Sequence, residues 1–302
     1  MTSVRVQTVL YRPAPGDFDR FIRGVRNAVK VAAQQDPRML VNLMVGDCSP
    51  IPTLTGEQIE DLRVSLRPCG IDRFDYDYFD ANLGSAGGHN RLIGGFDEDF
   101  VLILNPDVFA SPFLLPELFL PHADSRVGIV EARQIPLEHP KRYDPDSGDT
   151  SWASTAGALV RRAVIDKVGV FDADSFFLYC DDVDFSWRTR LAGFRVVHQP
   201  AARIFHDKRI TLEGRMEVGD AEHYYAAEAA MMLAWKYSRP DLAEEWLDSL
   251  SRSEMPLQRK AADRFRERRA AGTLPEPLDP SGEVAEFIGI NFAEHRFSYD
   301  DD

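Results

Sequence analysis

The sequence predicts an α/β fold, a doubly wound and mostly parallel sheet flanked by helices, with a C-terminal helical appendage. Three observations predict it. Through the first 200 residues, short apolar runs alternate with stretches of helical period, the pattern of parallel strands joined by crossover helices. The run "VLIL" at 101–104 is continuously apolar, which suits a central strand covered on both faces. Beyond residue 211 the strand-like runs stop and helical patterns take over. We therefore expect a sheet domain over 1–211 and a helical extension with a polar tail over 212–302.

Taken in order, "VRVQTVLY" (4–11) reads as the first strand. Residues 17–35 put Phe18, Phe21, Ile22, Val25, Ala28, Val29 and Ala32 on one helical face. "MLVNLMV" (39–45) is a second strand, 55–66 a second helix and "RFDYDYFD" (73–80) a short strand. The Gly-rich "GSAGGHNRLIGGF" (84–96) reads as a turn entering a helix. "FVLILNPD" (100–107) is the clearest strand, followed by a short helix near 112–120 and the strand "VGIVEAR" (127–133). Residues 134–153, rich in Pro, Asp and Gly, form a loop long enough to be functional. Three helical patterns, 221–237, 241–250 and 257–272, close the chain.

The bulk numbers exclude several classes. The net charge of −14 argues against a nucleic-acid surface, and no stretch has the roughly 18 apolar residues a membrane span needs. The start lacks the charged leader and cleavage site of a signal peptide. Cys48, Cys69 and Cys180 form no CxxC pair, so a reducing cytoplasm is the expected compartment. The basic run Arg259, Lys260, Arg264, Arg266, Arg268 and Arg269 offers a peripheral contact with anionic lipid, although interleaved acids favour a plain solvated helix. The residues leave the oligomeric state open, a homo-oligomer included.

Two strands end in carboxylates. "LVNLMV" runs into Asp47, and "VLIL" runs into Asn105, Pro106 and Asp107. Ligands of open parallel sheets bind beyond the carboxyl ends of the strands, so both acids aim at one edge. Further on, "FFLYCDDVDFSWR" (176–188) sets Asp181, Asp182 and Asp184 behind a run of aromatic residues, where a helix N-terminus favours negative charge. Asp184 and Arg188 lie four apart and can pair. Trp152, closing the long loop, is a stacking candidate for a sugar face.

The ordered set Asp47, "NLGSAGGHN" (82–90), "NPD", "STAGALVRR", "FFLYCDDVDFSWR" and "PAARIFH" resembles the family 2 glycosyltransferases, inverting enzymes of the GT-A fold that use nucleotide-sugar donors, and is closest to rhamnosyltransferase-like members. The resemblance covers about residues 4–206. It implies that Asp47 accepts the N3–H of a uracil or thymine ring. It further implies that Tyr11, Asn82, Gly84, Gly88, Asn90, Asn105, Asp107, Lys208 and Arg209 meet the dTDP- or UDP-linked donor. Asp107 and His206 would hold Mn²⁺ or Mg²⁺, with Asn105 departing from the first acid of the family's metal motif. Asp182 stands in the place of the catalytic base, Asp181 beside it, and Trp152 and Gly157 would form the sugar and acceptor pocket. The acceptor would be a saccharide or a lipid-linked saccharide, met in the cytoplasm or at the inner face of the membrane. Two rival readings remain beside it. A sugar nucleotidyltransferase would need a Gly-rich signature and a Lys near the first strand, and "VLYRPAPGDFDRF" has neither. A non-catalytic scaffold would have no use for Asp47, Asp107, Asp182 and His206 together.

Overall fold

A computed structural model describes residues 2–206 and 219–294. Eight strands form one sheet in the order β3-β2-β1-β4-β7-β6-β8-β5. The first half follows the expected alternation. β1 (Ser3–Leu10), β2 (Leu40–Asp47), β3 (Arg73–Tyr78) and β4 (Phe100–Leu104) run parallel. They are linked by α1 (Asp17–Gln35), α2 (Gly56–Leu66) and α3 (Gly84–Ile93). The α1 face buries the seven apolar residues expected of it, and Gly24 in addition. Thr55 caps α2 in a reciprocal box with Gln58, which satisfies two of the helix's otherwise unpaired amides. All five residues of β4 are buried, as an inner strand requires.

The second half mixes directions. After β5 (Val108–Ala110) and α4 (Leu114–Phe119) come β6 (Val127–Ile135), β7 (Gly157–Arg161), α5 (Arg162–Val168) and α6 (Asp181–Leu191). β7 inserts antiparallel between β4 and β6, β8 (Arg195–His206) runs parallel to β6, and β5 pairs antiparallel with the end of β8. β5, β7 and α5 carry no periodic signal because each is too short to show one. The sheet is thus less uniformly parallel than the apolar runs imply.

α7 (Asp220–Lys236), α8 (Pro240–Ser251) and α9 (Pro256–Ala270) pack on α6 through a core of their own, which includes Trp187, Met231, Leu233, Tyr237 and Phe265. The expected domain boundary at 211 lies outside the described residues. Among the described residues no helix is long and apolar enough to cross a membrane. The basic face of α9 is spent on local pairs such as Arg266 with Asp263 at 2.8 Å, the arrangement of a solvated helix.

Candidate active site

Sheet register builds one end of the site. Val108 pairs with His206 across β5 and β8, so Asp107, one residue earlier, is delivered to the imidazole. His206 Nε2 lies 3.3 Å from Asp107 Oδ2. On the other side of the ring, His206 Nδ1 lies 2.8 Å from Gln134 Oε1, a contact that orients the imidazole. A carboxylate and an imidazole nitrogen that converge in this way form a ligand pair suited to a divalent cation, with the amide behind the ring as its orienting partner. Mn²⁺ or Mg²⁺ fits this carboxylate and imidazole, with the remaining positions left to ligand oxygens and water.

Helix packing builds the other end. Tyr179 and Cys180 both have left-handed backbone (φ 68° and 55°), a sparsely populated conformation for residues with side chains. That reversal presents the first turn of α6 to the interior. Asp181 is buried, and its Oδ2 has no hydrogen-bond partner in a site where polar atoms normally find one. Burial pushes the carboxyl pKa of Asp181 up, and the neighbouring Asp182 charge adds to the effect. Burial also raises Asp182, opposed by the positive charge of Lys141 and by the amides of Val183 and Thr155. Asp184 points the other way. It takes Arg188 Nε at 2.8 Å, Lys236 Nζ at 2.6 Å and the Tyr237 hydroxyl at 3.1 Å, and so fastens α6 to α7. Its role is structural, as the four-residue spacing implies.

Both ends open on one cleft of about 1240 Å³. Its wall includes Asp107 and His206 together with Asp181 and Asp182. Tyr11, Asn82, Gly84, Asn105 and Trp152 also line it. Four expected contacts do not. Asp47 is fully buried, with its carboxylate already accepting from Ser49 N (2.8 Å), Thr53 N (2.7 Å) and the Tyr76 hydroxyl. It holds the 48–54 turn instead of facing a base. Gly88 lets α3 approach β1, since a Cβ there would stand 2.7 Å from Val9 Cγ1. Asn90 clamps Phe171 by exchanging hydrogen bonds with its backbone N–H (2.9 Å) and C=O (2.8 Å). Gly157 makes room for Ile204, whose Cδ1 would be 2.8 Å from an added Cβ. Lys208 and Arg209 lie outside the described residues.

The close approach expected at the Gly-rich turn is real, but its partner is protein. Gly84 has φ +69°, and a Cβ there would fall 2.2 Å from the Phe177 carbonyl oxygen. Ser85 N donates to that oxygen at 3.0 Å and Gly84 N to Asn82 Oδ1 at 3.2 Å, so the turn secures the segment leading into α6. Trp152 is buried as well as cleft-lining, with Lys141 Nζ 3.8 Å from its ring centroid and Phe292 edge-on at 5.2 Å. The face beneath Lys141 is therefore not open to a sugar.

Several site residues escape the sequence reading. His89 lines the cleft and receives Gln7 Nε2 at Nδ1 (2.9 Å), while burial lowers its pKa to about 4 and keeps it neutral. Glu131, Glu138 and His198 form an acidic cluster with metal-ligand spacing. None of the three lines the cleft, and the Lys141 ammonium already neutralises Glu131. One signal was available: an acid within the apolar strand "VGIVEAR" has to find a buried partner.

No protein-family model matches the chain. It is 27% identical to N-acetylglucosaminyl-diphospho-decaprenol L-rhamnosyltransferase of Mycobacterium tuberculosis in an alignment of 250 residues, covering 67% of this chain and 75% of that protein. Among solved structures it resembles the mannosyltransferase PcManGT of Pyrobaculum calidifontis in complex with GDP-Man and Mn²⁺, with TM-score 0.53, 15% identity, and 93% and 78% of the two chains covered. It also resembles GalNAc-T7 with UDP, GalNAc and Mn²⁺, with TM-score 0.61, 11% identity, and 94% and 57% covered. Fold and sequence likeness agree: the chain has the GT-A fold and is a glycosyltransferase homologue.

Proposed function

We propose that the chain is an inverting glycosyltransferase that moves a sugar from a dTDP- or UDP-linked donor to a saccharide or lipid-linked saccharide. The observation that carries this reading is the meeting of Asp107 and His206 with Asp182 in one cleft. Rhamnose is the sugar favoured, on the likeness to a protein named as an L-rhamnosyltransferase. The pyrimidine nucleotide rests on family resemblance alone, because Asp47 is engaged inside the protein.

In the proposed reaction the acceptor hydroxyl attacks the anomeric carbon from the face opposite the nucleotide. The bond to the diphosphate breaks and its electron pair leaves with that group. The hydroxyl proton passes to the Asp182 carboxylate as the new C–O bond forms. A carboxyl raised by burial suits this work, since its basicity moves toward the operating pH. A divalent cation at Asp107 and His206 would supply charge neutralisation for the leaving diphosphate. Asp181, with an unpartnered oxygen beside the base, is placed to orient the acceptor. Beyond the two acids the wall turns apolar, through Leu233, Trp246, Leu250, Phe287, Ile290 and Phe292. That surface favours an acceptor with an apolar part and, with it, work at the inner membrane face.

A panel of nucleotide sugars with Mn²⁺ tests the proposal through release of nucleoside diphosphate. Turnover of dTDP-rhamnose or of a UDP-sugar is expected. No release from any donor, or synthesis of nucleotide sugar from nucleoside triphosphate and sugar phosphate, would overturn it.

A further inference from the structure

Lys141 lies in the long loop between β6 and β7, in a stretch whose composition suits solvent, yet its side chain is only 2% exposed. Burying an ammonium is costly unless it is paired and fully hydrogen-bonded. Here Nζ donates to Glu131 Oε2 and, at 2.8 Å, to the carbonyl of Trp152, and it rests on the Trp152 ring. Glu131 is held in turn by Ser154 N and by His198 Nδ1 at 2.9 Å. The strip 152–155 is therefore pinned from below by the Lys141–Glu131 pair. From above, α6 pins the same strip. Ala153 N donates to Ser186 Oγ at 3.0 Å, and Ser186 Oγ donates in turn to the Asp182 backbone carbonyl at 2.7 Å, with Thr155 and Asp182 both on the cleft wall.

We propose that Lys141 is a positioning residue for the base, holding the 152–155 strip against the first turn of α6, which carries Asp182. This rests on the reading of Asp182 as the base. The charged and titratable groups that act on Asp182 include Asp181 and Cys180 at the start of α6, Lys141 from the loop and Glu131 from β6, with His139 of the loop and His206 of β8 on the same cleft wall. His198 of β8 and Glu138 of the loop stand one step further back, around Glu131. Lys141 stabilises the ionised base and Glu131 opposes it, so the two partners of one ion pair act on Asp182 with opposite signs.

That opposition supplies the test, read as the pH dependence of kcat/KM with a nucleotide-sugar donor. In Lys141→Met the acidic limb should move to higher pH by about one unit, so that activity below the limb falls roughly tenfold and recovers at higher pH. In Glu131→Gln, near-isosteric and independent of the first variant's folding, the limb should move to lower pH. Affinity for UDP with Mn²⁺ should stay unchanged in both, because Asp107 and His206 are untouched. Limbs that stay at the wild-type pH in both variants, with rates lowered evenly at every pH, would reduce Lys141 to a packing residue and overturn the inference. An acidic limb that survives in Asp182→Asn with full activity would instead remove the base assignment itself, which separates the two failures.

Discussion

The two ends of the cleft are built by different means. The proposed donor end is a product of strand register: Asp107 and His206 meet because β5 pairs with the last residues of β8, and Gln134 of β6 orients the ring. It is shallow, with the Asp107 side chain 36% exposed, and involves few charges. The base end is assembled from a left-handed backbone reversal, a long loop and the first turn of α6. Asp181 and Asp184 are buried there and Asp182 is half-buried, among the buried side chains of Lys141, Glu131 and Lys236. A binding end can be simple, since an arriving ligand completes it. A base end must hold its own charges in place before any substrate comes, so chemistry and folding are tied together there.

Substitutions should separate the two ends. The largest effect is expected from Asp184→Ala, which leaves Lys236 with Asp172 alone and takes the carboxylate away from Arg188, while Tyr237 keeps only the backbone carbonyl at 184. Breaking a buried pair in this way costs about 3–5 kcal/mol, measurable by denaturant unfolding. Acidification probes the interior more gently. His89 and His122 are buried with folded-state pKa values of about 4, below the ordinary 6.5. Between those values the unfolded chain binds more protons, so stability is full above pH 6.5 and falls as pH drops to 4. The loss is roughly 3 kcal/mol per histidine at its limit, read from denaturation midpoints across pH. The smallest effect belongs to the donor end. Gln134→Leu should leave stability nearly intact and weaken Mn²⁺-dependent nucleoside diphosphate binding about tenfold, by calorimetry. A Gln134 variant that unfolds, or an Asp184 variant that loses only nucleotide affinity, would erase the distinction.

The same contrast explains what could be read from the chain. β1, α1 and β4 announce themselves through unbroken apolar patterns; β1 and α1 match expectation to within a residue, and β4 ends at Leu104, three residues before the expected end. The acid after β4 was legible for a related reason: strand ends aim at a common edge. Asp47 ends a strand in the same way, but whether such an acid faces a ligand or caps its own turn depends on Tyr76, 29 residues away. The glycines of "NLGSAGGHN" were legible as close approaches and illegible as to partner, since Val9 and Phe177 are distant in sequence. Lys141 was invisible for the strongest reason. Nothing local distinguishes a lysine that will be solvated from one that will meet Glu131 beneath a tryptophan.

The central claim is that Asp182 takes the acceptor proton in a cleft whose nucleotide is held elsewhere. The most direct measurement compares Asp182→Asn with wild type, following sugar transfer and the affinity for UDP or dTDP with Mn²⁺ on the same preparation. The account predicts transfer reduced by about 10²–10⁴-fold with affinity unchanged. Transfer at the wild-type rate would contradict it, as would loss of nucleotide binding in step with activity.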